Sequence, residues 1–462
     1  MSITQRIEIL FRKALPSPFT IAWSLTLLAI VLAFIFGDFK TDQNRVLYIL
    51  TQWENGMWRV PLMTFLVQMM LMLVLGHVLA LSGSVDKLLN KSLSIINNGA
   101  QAAGFVTVVA VVVSLFNWGL GLIVGAVLAR KIGEYAQKNK IPINYPLVAA
   151  GAYSGLMVWH GGISGSAPVK VAESGHLKEL MHGILPEGQL SLLPESIDYS
   201  QTIFSTMNIT VSVAVIIILP LLMYFLSTKT KLKVPELKLD YKPTSPNKVK
   251  ELYGAEKLDQ SNIFIKFLGV SVLFFWLYKS LVLSPSFVKS INPNQINLFL
   301  LGSSLLLHRN IQSYIQALNA AIGGAAGILI QFPLYFGIMG IMNGCGLVQL
   351  VSEGFVSIST NFSFPLYTFI SAGLVNIFVP SGGGQWAVQG PIIVQAIDQL
   401  QGNLSKAIMA LAYGDQLTNM LQPFWALPLL GITKLKANQI LPYTLFLLLA
   451  GILLFGSALI IF

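Results

Sequence analysis

Val379-Pro380-Ser381-Gly382-Gly383-Gly384-Gln385 stands inside an apolar stretch running from about Phe364 to Ile397, and its reading decides the fold. A proline followed by three glycines interrupts a helix, and irregular backbone at bilayer depth survives only where it is buried in protein or lines a cavity. The chain carries three more such interruptions, at Asn117-Trp118-Gly119-Leu120-Gly121, at Gly161-Gly162-Ile163-Ser164-Gly165-Ser166-Ala167-Pro168 and at Asn419-Met420-Leu421-Gln422-Pro423. They fall two to each half. Broken segments at matching positions of two halves point to the substrate site of a secondary transporter.

Composition supports that class, since 54% hydrophobic and 10% charged residues in 462 describe a polytopic membrane protein and exclude a soluble globular one. The formal charge of +10 sits in loops beside apolar spans, where it encodes orientation rather than a nucleic-acid partner. Arg6, Arg12 and Lys13 precede an apolar run from about Phe19 to Phe36 with no small-residue cleavage site after it, so this run reads as a retained first span with a cytoplasmic N-terminus. The single cysteine, Cys345, excludes an internal disulfide. His176 and His182 lack metal-ligand spacing, and neither a metal nor a cofactor is expected beyond a co-transported ion.

The basic stretch from Thr228 to Lys266 reads as cytoplasmic, and the acidic stretch from Gly161 to Gln201 as external. Gly104 to Arg130 is apolar, and a straight crossing would carry Arg130, Lys131, Lys138 and Lys140 outside. A turn at Asn117-Trp118-Gly119 returns them inside, which predicts a re-entrant hairpin near 104–130 and its mirror image near 364–397. Leu88 pairs with Leu350 and Phe116 with Phe378, both 262 residues apart, while Tyr153 pairs with Tyr413 and Pro168 with Pro428 at 260. The fold class is therefore all-α and polytopic with inverted-topology repeats: residues 1–226 with a broken helix at 146–168, a basic linker at 227–262, and residues 263–462 with a broken helix at 406–430. About ten transmembrane helices accompany the two hairpins.

Glycines let backbone N–H groups approach a ligand, and a half-helix starting at mid-membrane presents them to an anion with a favourable dipole. Such a site suits a carboxylate. Asn117, Gly119, Ser164, Ser166, Ser381, Gly382, Gly383, Gly384, Gln385, Asn419 and Gln422 are the candidate substrate residues, and carbonyls freed at Gly161-Gly162 and Gln422-Pro423 are candidate cation ligands. His160 adjoins the first broken helix and joins the candidates. Asp415 is an acid well inside an apolar span, and an intramembrane ionisable residue is a candidate for carrying H+ or holding Na+.

Phe116 to Leu122, Gly327-Ile328-Leu329-Ile330-Gln331-Phe332-Pro333, Val379 to Trp386 and Asn419 to Pro428 resemble, in order, the motifs of the bacterial short-chain fatty acid transporter family. The resemblance runs from about Leu15 to Phe462. It implies an inner-membrane carrier for acetoacetate- or butyrate-type monocarboxylates, within a group of inverted-repeat, hairpin-bearing and often dimeric proteins, so a homodimer is the implied assembly. The family pattern commonly has histidine where this chain has Gln385, glutamate at Asp415 and glycine at His160. Gln385 cannot titrate, while Asp415 keeps the acid on a shorter side chain. The expected site places Trp386 and Phe424 around the acyl chain. Carriers of dicarboxylates, citrate or gluconate share the same physics and stay open as alternatives. A remoter one is an intramembrane serine hydrolase, because Gly162-Ile163-Ser164-Gly165 matches G-x-S-G with His160 nearby.

Overall fold

The computed structural model describes residues 16–39, 44–182, 185–237, 254–283, 292–400 and 402–462. Lys238, Lys242, Lys248 and Lys250 of the predicted linker lie outside them, as do Arg6, Arg12 and Lys13. Counting helices of nine residues or more, the first half holds α1 (Pro18–Phe36), α2 (Arg45–Met57), α3 (Val60–Ala80), α4 (Gly83–Leu93), α5 (Gly99–Phe116), α6 (Trp118–Lys138), α7 (Tyr145–Tyr153) and α8 (Thr206–Thr228). The second holds α9 (Asn262–Leu281), α10 (Pro293–Leu307), α11 (Ile311–Ile322), α12 (Ala326–Gly344), α13 (Leu347–Ser357), α14 (Phe364–Phe378), α15 (Gly382–Leu400), α16 (Leu404–Thr418), α17 (Pro423–Thr433) and α18 (Ala437–Ile461). Among the described residues seven helical stretches are long and apolar enough to cross a membrane, and Phe364–Phe378 and Pro423–Thr433 are shorter apolar helices. The chain is a multi-pass membrane protein.

The two interruptions predicted to be hairpin tips are the tips of packed helix pairs. α5 and α6 are separated only by Asn117, in extended conformation, and lie against one another. Their turn is set by side chains that cap the new helix: Asn117 Oδ1 accepts from the N–H of Leu120 at 2.9 Å, and Ser164 Oγ accepts from that of Trp118 at 3.0 Å. The pair runs longer than the expected 104–130. Asn98 caps α5 six residues earlier than Gly104, and Glu134 pairs with Arg130 (2.8 Å) and Lys131 (3.1 Å), so α6 continues through its charges to Lys138. α14 and α15 form the second pair, turning through Val379, Pro380 and Ser381.

The halves interlock. α12 packs on α1 and α2 of the first half, and α3 packs on α10 and α11 of the second. α6 lies against α17, and α15 against the helical turn Ala167–Lys170, so each hairpin meets the broken segment of the other half. α14 and α16 approach so closely that a Cβ on Gly414 would strike the carbonyl oxygen of Phe369.

The broken helices differ from one another. After α16 a single turn, Asn419–Leu421, leads into Pro423 and α17, whereas α7 ends at Tyr153 and gives way to the turns Ser154–Met157 and Trp159–Gly161 before Ala167–Lys170. The first break therefore starts well before Gly161. Gly155 has no room for a side chain beside Ser114 and the carbonyl of Ala110, and the loop Gly162–Ser166 needs no straight continuation because Gly165 folds back on His160.

Candidate functional site

The hairpins and the breaks enclose a cavity of about 250 Å³ lined by Leu62, Phe65, Trp118, Leu156, Trp159, Ser166, Phe336, Met339, Pro380, Ser381, Gly382, Gly383, Phe424 and Trp425. Its wall is aromatic. Trp118 packs edge-on to Trp425 at 5.2 Å between ring centroids and to Trp159 at 6.0 Å, while Phe65 and Phe424 close around Trp425 at 6.0 and 4.9 Å. Its polar end is the start of α15. Ser381 Oγ accepts from the N–H of Gly384 (3.2 Å) and the Ser381 carbonyl from that of Gln385 (2.7 Å), which leaves the first two amides of the helix, Gly382 and Gly383, beside the cavity. Ser166 faces them from the other repeat, its Oγ being the nearest atom, at 3.9 Å, to where a Cβ on Gly383 would stand. The indole Nε1 of Trp159 is a buried donor without a partner. No lysine or arginine is among its described lining residues.

Beside the polar end lies a buried network. His160 Nδ1 is 2.6 Å from Asp415 Oδ2, His160 Nε2 accepts from the N–H of Ala167 at 3.0 Å, and the imidazole stacks on Trp159 at 4.6 Å. Gln416 Oε1 accepts from the N–H of His160 (3.0 Å) and of Gly161 (3.1 Å). Asn376 Nδ2 is surrounded by the Asp415 carbonyl (2.7 Å), Thr418 Oγ1 (2.9 Å) and Asn419 Oδ1 (3.0 Å), and Gln422 Nε2 donates to the Asn376 carbonyl. Asp415 is 1% exposed and its Oδ1 has no partner.

Of the residues expected to touch substrate, the structure brings Ser166, Ser381, Gly382 and Gly383 to the cavity. Gly384 lies one position further along the first turn of α15. Asn117 and Ser164 spend their oxygens capping α6, and Gly119 packs on Met72 Sδ. Gln385 turns away from the cavity: its Nε2 donates to the Ala372 carbonyl (2.8 Å) and to Gln389 Oε1 (2.6 Å). Asn419, Gln422 and His160 belong to the buried network. Phe424 lines the cavity as expected, whereas Trp386 donates from Nε1 to His176 Nε2 at 3.0 Å, away from it. The carbonyls considered as cation ligands already have donors, Asn208 Nδ2 for Gly161 (2.9 Å) and the Tyr153 hydroxyl for Asn419 (2.9 Å) and Gln422 (3.1 Å).

Asp415, His160 and a serine side by side evoke a hydrolytic triad, but the geometry opposes it. The Nε2 that would act as base receives the Ala167 amide, and Ser164 Oγ holds the Trp118 amide.

A family model described as short chain fatty acid transporter matches residues 1–462. The chain belongs to the short-chain fatty acid transporter family. It is 36% identical over 452 residues to an Escherichia coli (strain K12) protein provisionally named a short-chain fatty acid transporter, covering 97% of this chain and 96% of that one. A Haemophilus influenzae protein with the same provisional name is 35% identical over 438 residues, covering 93% of each. Among solved structures, the Alcanivorax borkumensis YdaH transporter is similar with a TM-score of 0.41 at 17% identity, covering 96% of this chain and 98% of that one. Neisseria gonorrhoeae MtrF, an antimetabolite efflux pump, gives 0.36 at 15% identity over 98% and 97%. The family is one of transporters, not enzymes.

Proposed function

We propose that this family member is a secondary carrier of short monocarboxylates in the bacterial inner membrane, with the carboxylate seated between Ser166, Ser381 and the amides of Gly382 and Gly383 and the acyl chain among Trp118, Trp159, Phe424 and Trp425. The observation that carries the reading is one cavity with a helix N-terminus and two hydroxyls at one end and aromatic walls elsewhere. Its volume, about 250 Å³, falls just below the roughly 300–1,000 Å³ of sites for drug-sized ligands, which favours a molecule of a few heavy atoms. One anion seat favours a mono- over a dicarboxylate. The hairpins are re-entrant in this reading, the N-terminus is cytoplasmic, and one hairpin-bearing unit moves against the scaffold to expose the cavity to either side.

With no lysine or arginine among the described residues lining the cavity, a co-transported cation is the natural partner of the anion, and Asp415 is its site. Asp415 is the only acid among the fully buried polar residues described. The 260-residue shift between repeats places Gly155 at the equivalent position, where no side chain fits. One acid therefore predicts one cation for each carboxylate and electroneutral transport by H+ or Na+.

The lining tryptophans give a direct assay of the substrate class. Titrating the purified protein with acetate, butyrate, acetoacetate, hexanoate, succinate and citrate, read by indole fluorescence, is expected to give saturable quenching with the four-carbon monocarboxylates and none with citrate. Tighter binding of succinate or citrate than of butyrate would replace this reading with the dicarboxylate or citrate one.

A further inference from the structure

Resting on that reading of Asp415 and the cavity, we propose that His160 is the positioning residue that makes carboxylate binding depend on the cation: it carries the charge state of Asp415 to both sides of the anion seat.

The inference begins with a proton. The N–H of Ala167 points at His160 Nε2 at 3.0 Å, and a backbone amide only donates, so this nitrogen is bare. The proton of a neutral imidazole is then on Nδ1, where it donates to Asp415 Oδ2 at 2.6 Å. A second ring proton has no place while Ala167 stays where it is. The histidine of the pair is thus neutral, and an incoming cation has one free position on Asp415, Oδ1, which is buried and has no partner among the described residues.

The ring also touches what the substrate touches. Ala167, held by Nε2, follows Ser166, whose hydroxyl lines the cavity. On the opposite side, a Cβ on Gly382 would stand 2.8 Å from His160 Cε1 and 3.2 Å from Nδ1, so the imidazole edge abuts the first turn of α15. Gln416 fixes the backbone of His160 through two bonds, leaving the ring as the adjustable part. A charge-assisted hydrogen bond to a carboxylate is about twice as strong as a neutral one. A cation on Oδ1 removes that assistance, weakens the hold of Asp415 on Nδ1–H, and makes Nε2 a poorer acceptor for Ala167. Ser166 and Gly382 then resettle together around the anion. Linkage makes the effect reciprocal, with the carboxylate raising cation affinity by the same factor.

The test measures the butyrate KM in proteoliposomes with the driving cation saturating or withdrawn, Na+ being replaced by choline in one series and the outside pH raised in another. Wild type is expected to lose about tenfold in affinity when its cation is withdrawn, within the usual range of coupling between sites. His160→Phe keeps a ring against Trp159 and Gly382 but neither nitrogen, and its ratio is expected to fall to about twofold while butyrate is still transported. His160→Gln, whose amide offers one donor and one acceptor, is expected to restore part of the ratio, which a purely structural role would not produce. An unchanged ratio in His160→Phe overturns the inference while leaving the carrier intact, and absence of any cation effect in wild type overturns the coupling reading itself. If His160→Phe does not fold, nitrogen-15 NMR of histidine-labelled wild type decides. The Nδ1–H tautomer at a histidine in hydrogen-bond contact with a carboxylate is expected, and an Nε2–H tautomer or an imidazolium there refutes the proposal.

Discussion

Asp415→Asn is expected to abolish concentrative uptake and to leave exchange intact. The carboxyl group is 1% exposed with a bare Oδ1, and a negative charge there is costly unless a cation or a proton neutralises it. Asparagine keeps the size of the side chain, and its oxygen still accepts from His160 Nδ1–H, so the network around Gln416 and Asn376 retains its shape. What it loses is the cation. For one cation per substrate, a tenfold ion gradient corresponds to about 1.4 kcal/mol and supports about tenfold accumulation. Wild type is expected to reach it, and the variant to stop at equal concentrations inside and out while exchanging labelled for unlabelled butyrate. Retained accumulation in the variant would move the coupling site elsewhere.

Gly383→Val is expected to remove substrate binding without unfolding the protein. A Cβ there meets nothing nearer than Ser166 Oγ at 3.9 Å, so the fold accepts it, yet the side chain stands between Ser166 and the amides of α15. Losing even one hydrogen bond to a charged group costs about 1.5–3 kcal/mol, a factor of roughly 10 to 150 in affinity. The fluorescence titration would show the loss, with the melting temperature within a few degrees of wild type. Gly382→Val makes the contrast. Its Cβ would lie 2.7 Å from the Trp159 ring and 2.8 Å from His160, so that change disturbs packing as well as binding.

The sequence carried the architecture well because it depends on long apolar runs and on interruptions that break them. Proline and glycine clusters mark the interruptions between α5 and α6, between α14 and α15 and between α16 and α17. The first break lies within the expected 146–168 but starts before the Gly161-Gly162 interruption, because its start, Ser154–Met157, contains only Gly155 as a warning, and that glycine answers a packing demand from Ser114, forty-one residues away in sequence. Of the cavity, the end lined by Ser166 and Ser381 to Gly383 was legible, since hydroxyls and glycines at a helix start stand out in the sequence. Its walls were not. Trp118 and Trp425 stood within recognised motifs, but only the tertiary fold sets them with Trp159 around one space.

Side-chain amides inside spans were the missed signal. Asn208 and Asn376 sit between apolar neighbours and Gln416 follows Asp415, and each proves to hold a freed backbone group or a helix break together. Gln385 and Asn117 misled for the same reason. A polar side chain at a tip serves the backbone first and the ligand second, because every orphaned N–H or carbonyl in a membrane must find a partner.

The most direct test of the account is uptake of labelled butyrate into proteoliposomes under an imposed Na+ gradient or an imposed pH gradient, with the membrane potential set independently by potassium and valinomycin. The account predicts saturable accumulation driven by one of the two gradients and unaffected by the potential, because one cation moves with each carboxylate. Uptake that follows the potential, or no accumulation under either gradient while another organic anion accumulates, would contradict it.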